Sequence, residues 1–191
     1  VQLKKFCKDW FLGEFRDLKK INDFIKNVDV VTIETENIPL ETLKFIESKN
    51  KLFPSSQIIE IAQNRIKEKQ FLNSLNNIRT TEYFLINQFS DLLKMQKIIG
   101  NQFIIKSCEL GYDGKNQYKI DDQNMNTFQK KNINNFIAEK IVDFELEISV
   151  IVCRDFLGEI KTYPPVQNTH ENGILITSEY PAKIKKSIIK D

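Results

Sequence analysis

Lys106 closes a short apolar run, FIIK, and the segment GYDGKNQ follows within a few residues. Gly111 and Gly114 admit φ > 0 and leave no side chain to hold a ligand off. Successive amides of such a loop can turn toward one anion, and the lysine adds a point charge, so the chemistry on offer is phosphate binding. A tight hairpin with ordinary surface residues carries the same two glycines, and spacing alone favours that plainer reading. Glu147 is a second candidate, because a carboxylate inside LEISVIV is costly to desolvate unless something binds it. A glutamate on an open sheet face, paired with a lysine across the sheet, accounts for it equally well. Glu34 and Glu36 in TIETENIP share a face of an extended chain, and on their own read as solvated loop acids. His170 is the only histidine; a lone histidine is more often a surface or capping residue than a catalyst.

These residues need elements to hold them. Phe103 to Lys106 and the run from Gln117 to Ile120 read as strand, loop, strand. Upstream, Leu18, Ile21 and Ile25 form one helical face, and VDVVTIE (Val28 to Glu34) is a buried-type strand. Pro39 ends it, and Leu43 and Ile46 belong to a second short helix. That alternation is the tail of a parallel α/β unit, with the acidic loop Thr32 to Pro39 at the carboxyl end of its strand, where open sheets place ligands. Leu52 to Ser55 is a linker. Ser55 or Ser56 caps one helix and Asn64 a second, in which Arg65, Lys69, Leu72 and Leu75 recur at helical spacing. A third helix spans Ser90 to Gly100, capped by Ser90 and stopped by the glycine, with Leu92, Met95 and Ile99 as its core stripe. Asp121 to Lys131 is a short helix or surface loop. Phe136 to Val142 and Leu146 to Val152 are two further strands, Glu147 sharing a face with Ser149 and Ile151.

At 191 residues, 41% hydrophobic and 28% charged, the chain suits a globular protein with one good core or parts of two domains. A net charge of +2, with lysines scattered among acids, argues against a nucleic-acid or membrane partner. No apolar run approaches membrane-spanning length, and there is no signal-peptide pattern. Three cysteines without metal-type spacing point to a reducing cytoplasm. The first residue is valine, as in a chain that begins inside a longer protein.

Lys106 with Gly111-Tyr112-Asp113-Gly114-Lys115-Asn116-Gln117 resembles the lysine and GYDGKGQ loop of the ATP-grasp ligases of purine biosynthesis, above all the carboxyaminoimidazole ribonucleotide synthases. TIETENIP is similar to that family's T-x-E-x-E-N/H-(I/V)-P, IAEKIVDFELEISVIVCRD to its E-x-x-(V/I)-x-F-x-x-E-(I/V)-S-V-I-x-x-R, and Tyr163 to Leu175 to its Y-P-x-x-x-N-x-H-x-x-G-I-L. The resemblance implies an α/β protein: residues 1–53 as the end of a Rossmann-like pre-ATP-grasp domain, and 54–191 as an ATP-grasp domain incomplete at its C-terminus. Its sheets should be mainly antiparallel, with a mobile lid subdomain over about 78–140.

For ATP, the resemblance implies Arg65, Lys106, Gly111 to Gln117 and His170. It adds Glu139, Lys140, Ile141 and Val142 at the adenine edge and Glu147 on the ribose hydroxyls. For aminoimidazole ribonucleotide it implies Tyr112, Asp113, Lys115 and one acid of the TIETENIP pair, taken as Glu34. The implied reaction joins bicarbonate to that ribonucleotide through carboxyphosphate, with Mg²⁺ bound by carboxylates expected beyond this chain. A homodimer or a complementing second polypeptide is a further expectation, as is a non-catalytic remnant that binds adenine nucleotide at most. Leu110 and Asn116 depart from glycines in the family's loop; asparagine tolerates φ > 0 better than most residues.

Overall fold

The computed structural model describes residues 5–109, 116–171, 173–185 and 187–188. Helix α1 (Leu18–Ile25) begins where the Asp17 carboxylate accepts from Lys20 N, at 3.2 Å. Strand β1 (Val30–Thr32), helix α2 (Leu40–Glu47) and strand β2 (Lys51–Phe53) follow, with β1 and β2 parallel. Ile25, Val31, Leu43, Ile46, Leu52 and Ile59 close one core. The buried strand expected over VDVVTIE is thus only three residues long, and Val30 stays exposed. In a two-stranded sheet only the middle residue of each strand faces that core. The expected linker at Leu52 is itself partly strand.

Ser55 caps α3 (Ser56–Ala62) through a bond from Ile58 N. Asn64 caps α4 (Arg65–Ser74), its side-chain oxygen accepting from Ile66 N at 3.0 Å and Lys67 N at 3.2 Å. Both caps follow the sequence pattern.

A four-stranded antiparallel sheet comes next: β3 (Tyr83–Ile86), β4 (Phe103–Ser107), β5 (Gln117–Ile120) and β6 (Phe136–Lys140), in the order β3-β6-β4-β5. Helix α5 (Phe89–Ile99) and a 3-10 helix (Met125–Lys130) cover one face, burying Leu92, Met95, Phe103, Ile105, Ile120 and Phe128. The cap of α5 is Gln88 rather than Ser90, while Asp91 accepts from Asn87 N at 3.2 Å and holds the entry turn. Gly100 stops the helix at φ +96°, a value L side chains rarely adopt.

The chain then leaves this sheet. Strand β6 ends at Lys140, two residues before the expected Val142, and residues 141–146 belong to neither sheet. The strand expected over Leu146 to Val152 is divided between two sheets. Strand β7 (Glu147–Ser149) pairs with β10 (Val166–Glu171), which pairs with β11 (Ile174–Glu179); β8 (Val152–Arg154) pairs with β9 (Ile160–Thr162). The apolar run marks strand content, but its alternation does not say where the chain changes partners.

Candidate functional site

The face of the four-stranded sheet opposite the α5 core carries the charge. Ile104 pairs with Glu139 in the β4–β6 register, so Lys106, two residues along β4, lies diagonally across from Glu139 on that face. Lys106 Nζ sits 2.7 Å from Glu139 Oε2. From above, α4 brings Lys69 Nζ to 3.2 Å from Glu139 Oε1 and over the Tyr83 ring, 5.6 Å from its centroid. Glu139 is 8% exposed. Burial pushes its carboxyl up, but hydrogen bonding and charge from Lys106, then the charge of Lys69, outweigh burial and hold it below the ordinary glutamate value. Two ammonium groups against one carboxylate leave a local charge of about +1 in a poorly hydrated place, which suits an incoming anion.

Arg65 stands one turn before Lys69 on the same helical face. Its Nη1 donates to Ser107 O at 2.9 Å and its backbone N to Cys108 O at 2.9 Å. Three cations therefore meet at the end of β4. Sequence reasoning assigned no role to Lys69; its spacing four residues after Arg65 was the available signal.

Gly111, Tyr112, Asp113, Gly114 and Lys115 lie outside the described residues. Asn116 stands at φ 58°, its carbonyl accepting from Ser107 N at 3.2 Å. Gln117 opens β5 in register with Lys106. A Cβ on Gly173, in the turn between β10 and β11, would lie 3.7 Å from Gln117 Nε2, so the second sheet reaches the mouth of this cluster.

On that second sheet Glu147 pairs with Asn168, and His170 Nδ1 lies 3.2 Å from Glu147 Oε2. Asn168 donates to Ser149 Oγ at 3.0 Å and accepts from Ser178 Oγ at 2.8 Å, which completes a polar stripe. The Glu147 side chain keeps 41% of its exposure. The desolvation reasoning for it therefore fails, because the strand is uncovered, and its partner is His170 rather than a lysine. Lys140 leaves the sheet with its ammonium 3.2 Å from Glu82 and its carbonyl accepting from Thr81 Oγ1 at 2.8 Å. Ile141 is half-buried and Val142 exposed. Ile141 and Val142 thus lie on the segment that connects the end of β6 to β7, the strand that carries Glu147.

Glu34 is exposed on the acidic loop and Glu36 is half-buried. Neither lines the adjoining cleft of about 430 Å³, which Asn37, Ile38, Gln63, Asn64, Lys67 and Glu109 help to form.

Comparison with known proteins adds family. The ATP-grasp domain model matches residues 70–191, and the ribonucleotide synthetase preATP-grasp domain model matches residues 3–63. The N5-carboxyaminoimidazole ribonucleotide synthase of Aquifex aeolicus is 38% identical over 174 residues, covering 88% of this chain and 46% of the relative. That of Brucella melitensis is 34% identical over 177 residues, covering 91% and 49%. The crystal structure of the Staphylococcus aureus N5-carboxyaminoimidazole synthetase complexed with ADP superposes with a TM-score of 0.90 at 28% identity, covering 97% of this chain and 50% of that one. The chain spans about half the length of these relatives. It carries a preATP-grasp segment followed by ATP-grasp sequence, and it belongs to the ATP-grasp family.

Proposed function

We propose that the chain supplies the nucleotide cradle and part of the substrate loop of an ATP-dependent ligase of purine biosynthesis. The reaction is carboxylation of 5-aminoimidazole ribonucleotide with bicarbonate. The γ-phosphoryl of ATP passes to a bicarbonate oxygen, giving ADP and carboxyphosphate. The ribonucleotide amine then attacks the carboxyl carbon and displaces phosphate, giving carboxyaminoimidazole ribonucleotide. The observation that carries this reading is the Lys106–Glu139–Lys69 cluster near the end of β4.

In this assignment Glu139 holds Lys106 and Lys69 so that their charge meets the phosphates. Arg65 and the amides of Gly111 to Gln117 complete the cradle. Backbone groups of Glu139 to Val142 take the adenine edge. Glu147, held by His170, presents two acceptors to the two ribose hydroxyl donors. Glu34, with Tyr112, Asp113 and Lys115, faces the ribonucleotide. The domain boundary falls near residues 53–54, with the lid over about 78–140, and the enzyme works in the cytoplasm. Closure of the lid keeps water from carboxyphosphate. Mg²⁺, when bound, neutralises charge developing on the phosphates. Among the described residues no group of three or more His, Cys, Asp or Glu is placed to hold a metal ion.

ATP should raise the melting temperature of the wild-type chain and leave that of Glu147→Ala unmoved. Equal shifts in both would remove the ribose assignment. A second reading is a non-catalytic remnant that at most binds adenine nucleotide. That protein would show the same ATP shift with no binding of the ribonucleotide.

A further inference from the structure

We infer that Gln63, Asn64 and Arg65 form a positioning brace that fixes the acidic loop relative to the end of β4. The two ligands it would align are those of the reading above, on which this inference rests. The three residues form the junction between α3 and α4, and their side chains leave in three directions. Gln63 Nε2 donates to the carbonyls of Glu36 and Ile38, the latter at 2.6 Å, using both amide protons on the acidic loop. Asn64 Nδ2 donates to Glu109 Oε1 at 3.1 Å while its oxygen caps α4. Arg65 donates to Ser107 and Cys108 carbonyls, each at 2.9 Å.

The backbone under them is tied down as well. Gln63 N donates to Ile59 O at 2.8 Å and Asn64 N to Ile61 O at 3.2 Å, so the junction cannot pivot without opening α3. Gln63 and Asn64 line the cleft of about 430 Å³ together with Asn37, Ile38 and Glu109, and through its three side chains the tripeptide links the acidic loop to Ser107–Glu109. A ligand that reacts across two loops needs their separation set to within a fraction of an ångström, and short hydrogen bonds to backbone carbonyls set it where longer charged contacts would not.

The test is Gln63→Leu, which keeps the side-chain volume and removes both donors, with Gln63→Glu as the polar control that cannot donate when ionised. In calorimetric titrations of the full chain, both variants should bind 5-aminoimidazole ribonucleotide about tenfold more weakly and ADP within about twofold of wild type. Equal loss for both ligands would mean a general folding role, and no loss for either would mean no brace; both results overturn the inference. Hydrogen exchange without ligand supplies an independent readout: the variants should lose protection both at residues 33–38 and at residues 104–109. If wild type binds neither ligand, the functional reading has failed and exchange alone decides. Loosening confined to residues 33–38 would then overturn the brace.

Discussion

Glu139 is the residue on which the cluster turns, because an acid at 8% exposure is tolerable only with its two lysines in place. Its folded pKa lies below the ordinary value, so the ionised carboxylate is more stable in the folded than in the unfolded chain and favours folding. That contribution is complete above the unfolded glutamate value and is lost as pH falls through the lowered folded one. Glu139→Gln should therefore lower stability by about 3 kcal/mol at neutral pH. The gap from wild type should narrow as the pH of urea titrations drops below the ordinary glutamate range; a gap independent of pH would refute the pairing. Cys108 offers a second check at this scale. Burial first, then the charge of Glu109, pushes its thiol up to about 11, with Arg65 opposing. At pH 8 a disulfide reagent should label the exposed Cys7 and Cys153 in the native chain and reach Cys108 only after denaturation. Lys106 was a candidate from sequence because it ends an apolar run before a glycine-punctuated segment, although that spacing alone favoured a plain hairpin. Lys69 and Gln63 were not, because their partners lie 70 and 25 or more residues away and only tertiary packing joins them.

Among the elements, those whose boundaries follow local chemistry were readable and those set by partner choice were not. Ser55 and Asn64 cap helices because their oxygens reach amides two or three residues on, a purely local matter. The division of the run after Leu146 between β7 and β8 depends on which neighbour each half pairs with, and apolar alternation is silent on that. The one-sided cover of the β3-β6-β4-β5 sheet explains why a charged cluster can occupy it at all: α5 fills the opposite face with apolar side chains. That asymmetry is testable on adjacent residues of α5. Leu92 is fully buried and Leu93 is 41% exposed. Leu92→Ala should cost about 2–5 kcal/mol in urea unfolding, whereas Leu93→Ala should cost under about 1 kcal/mol. Similar costs at both positions would mean that the helix is not seated on Leu92.

At the scale of the molecule, the two buried clusters belong to the β1–β2 unit and the four-stranded sheet, and the β7-β10-β11 sheet is built differently. Ile174, Leu175 and Ile176 on β11 are each at least half exposed. Successive strand residues point to opposite faces, so among the described residues neither face of that strand is covered and its outer edge has no partner strand. Contiguous exposed apolar surface of this kind marks a contact surface or an aggregation liability. The ribose side of the proposed cradle, Glu147 and His170, stands on this same sheet, so nucleotide affinity depends on how firmly the sheet is held. The 191-residue polypeptide should accordingly bind an apolar-surface dye in its native state, and replacing Ile174 and Ile176 by lysine should reduce the signal. A weak dye signal, or one that the two lysines leave unchanged, would mean that β11 is covered in solution.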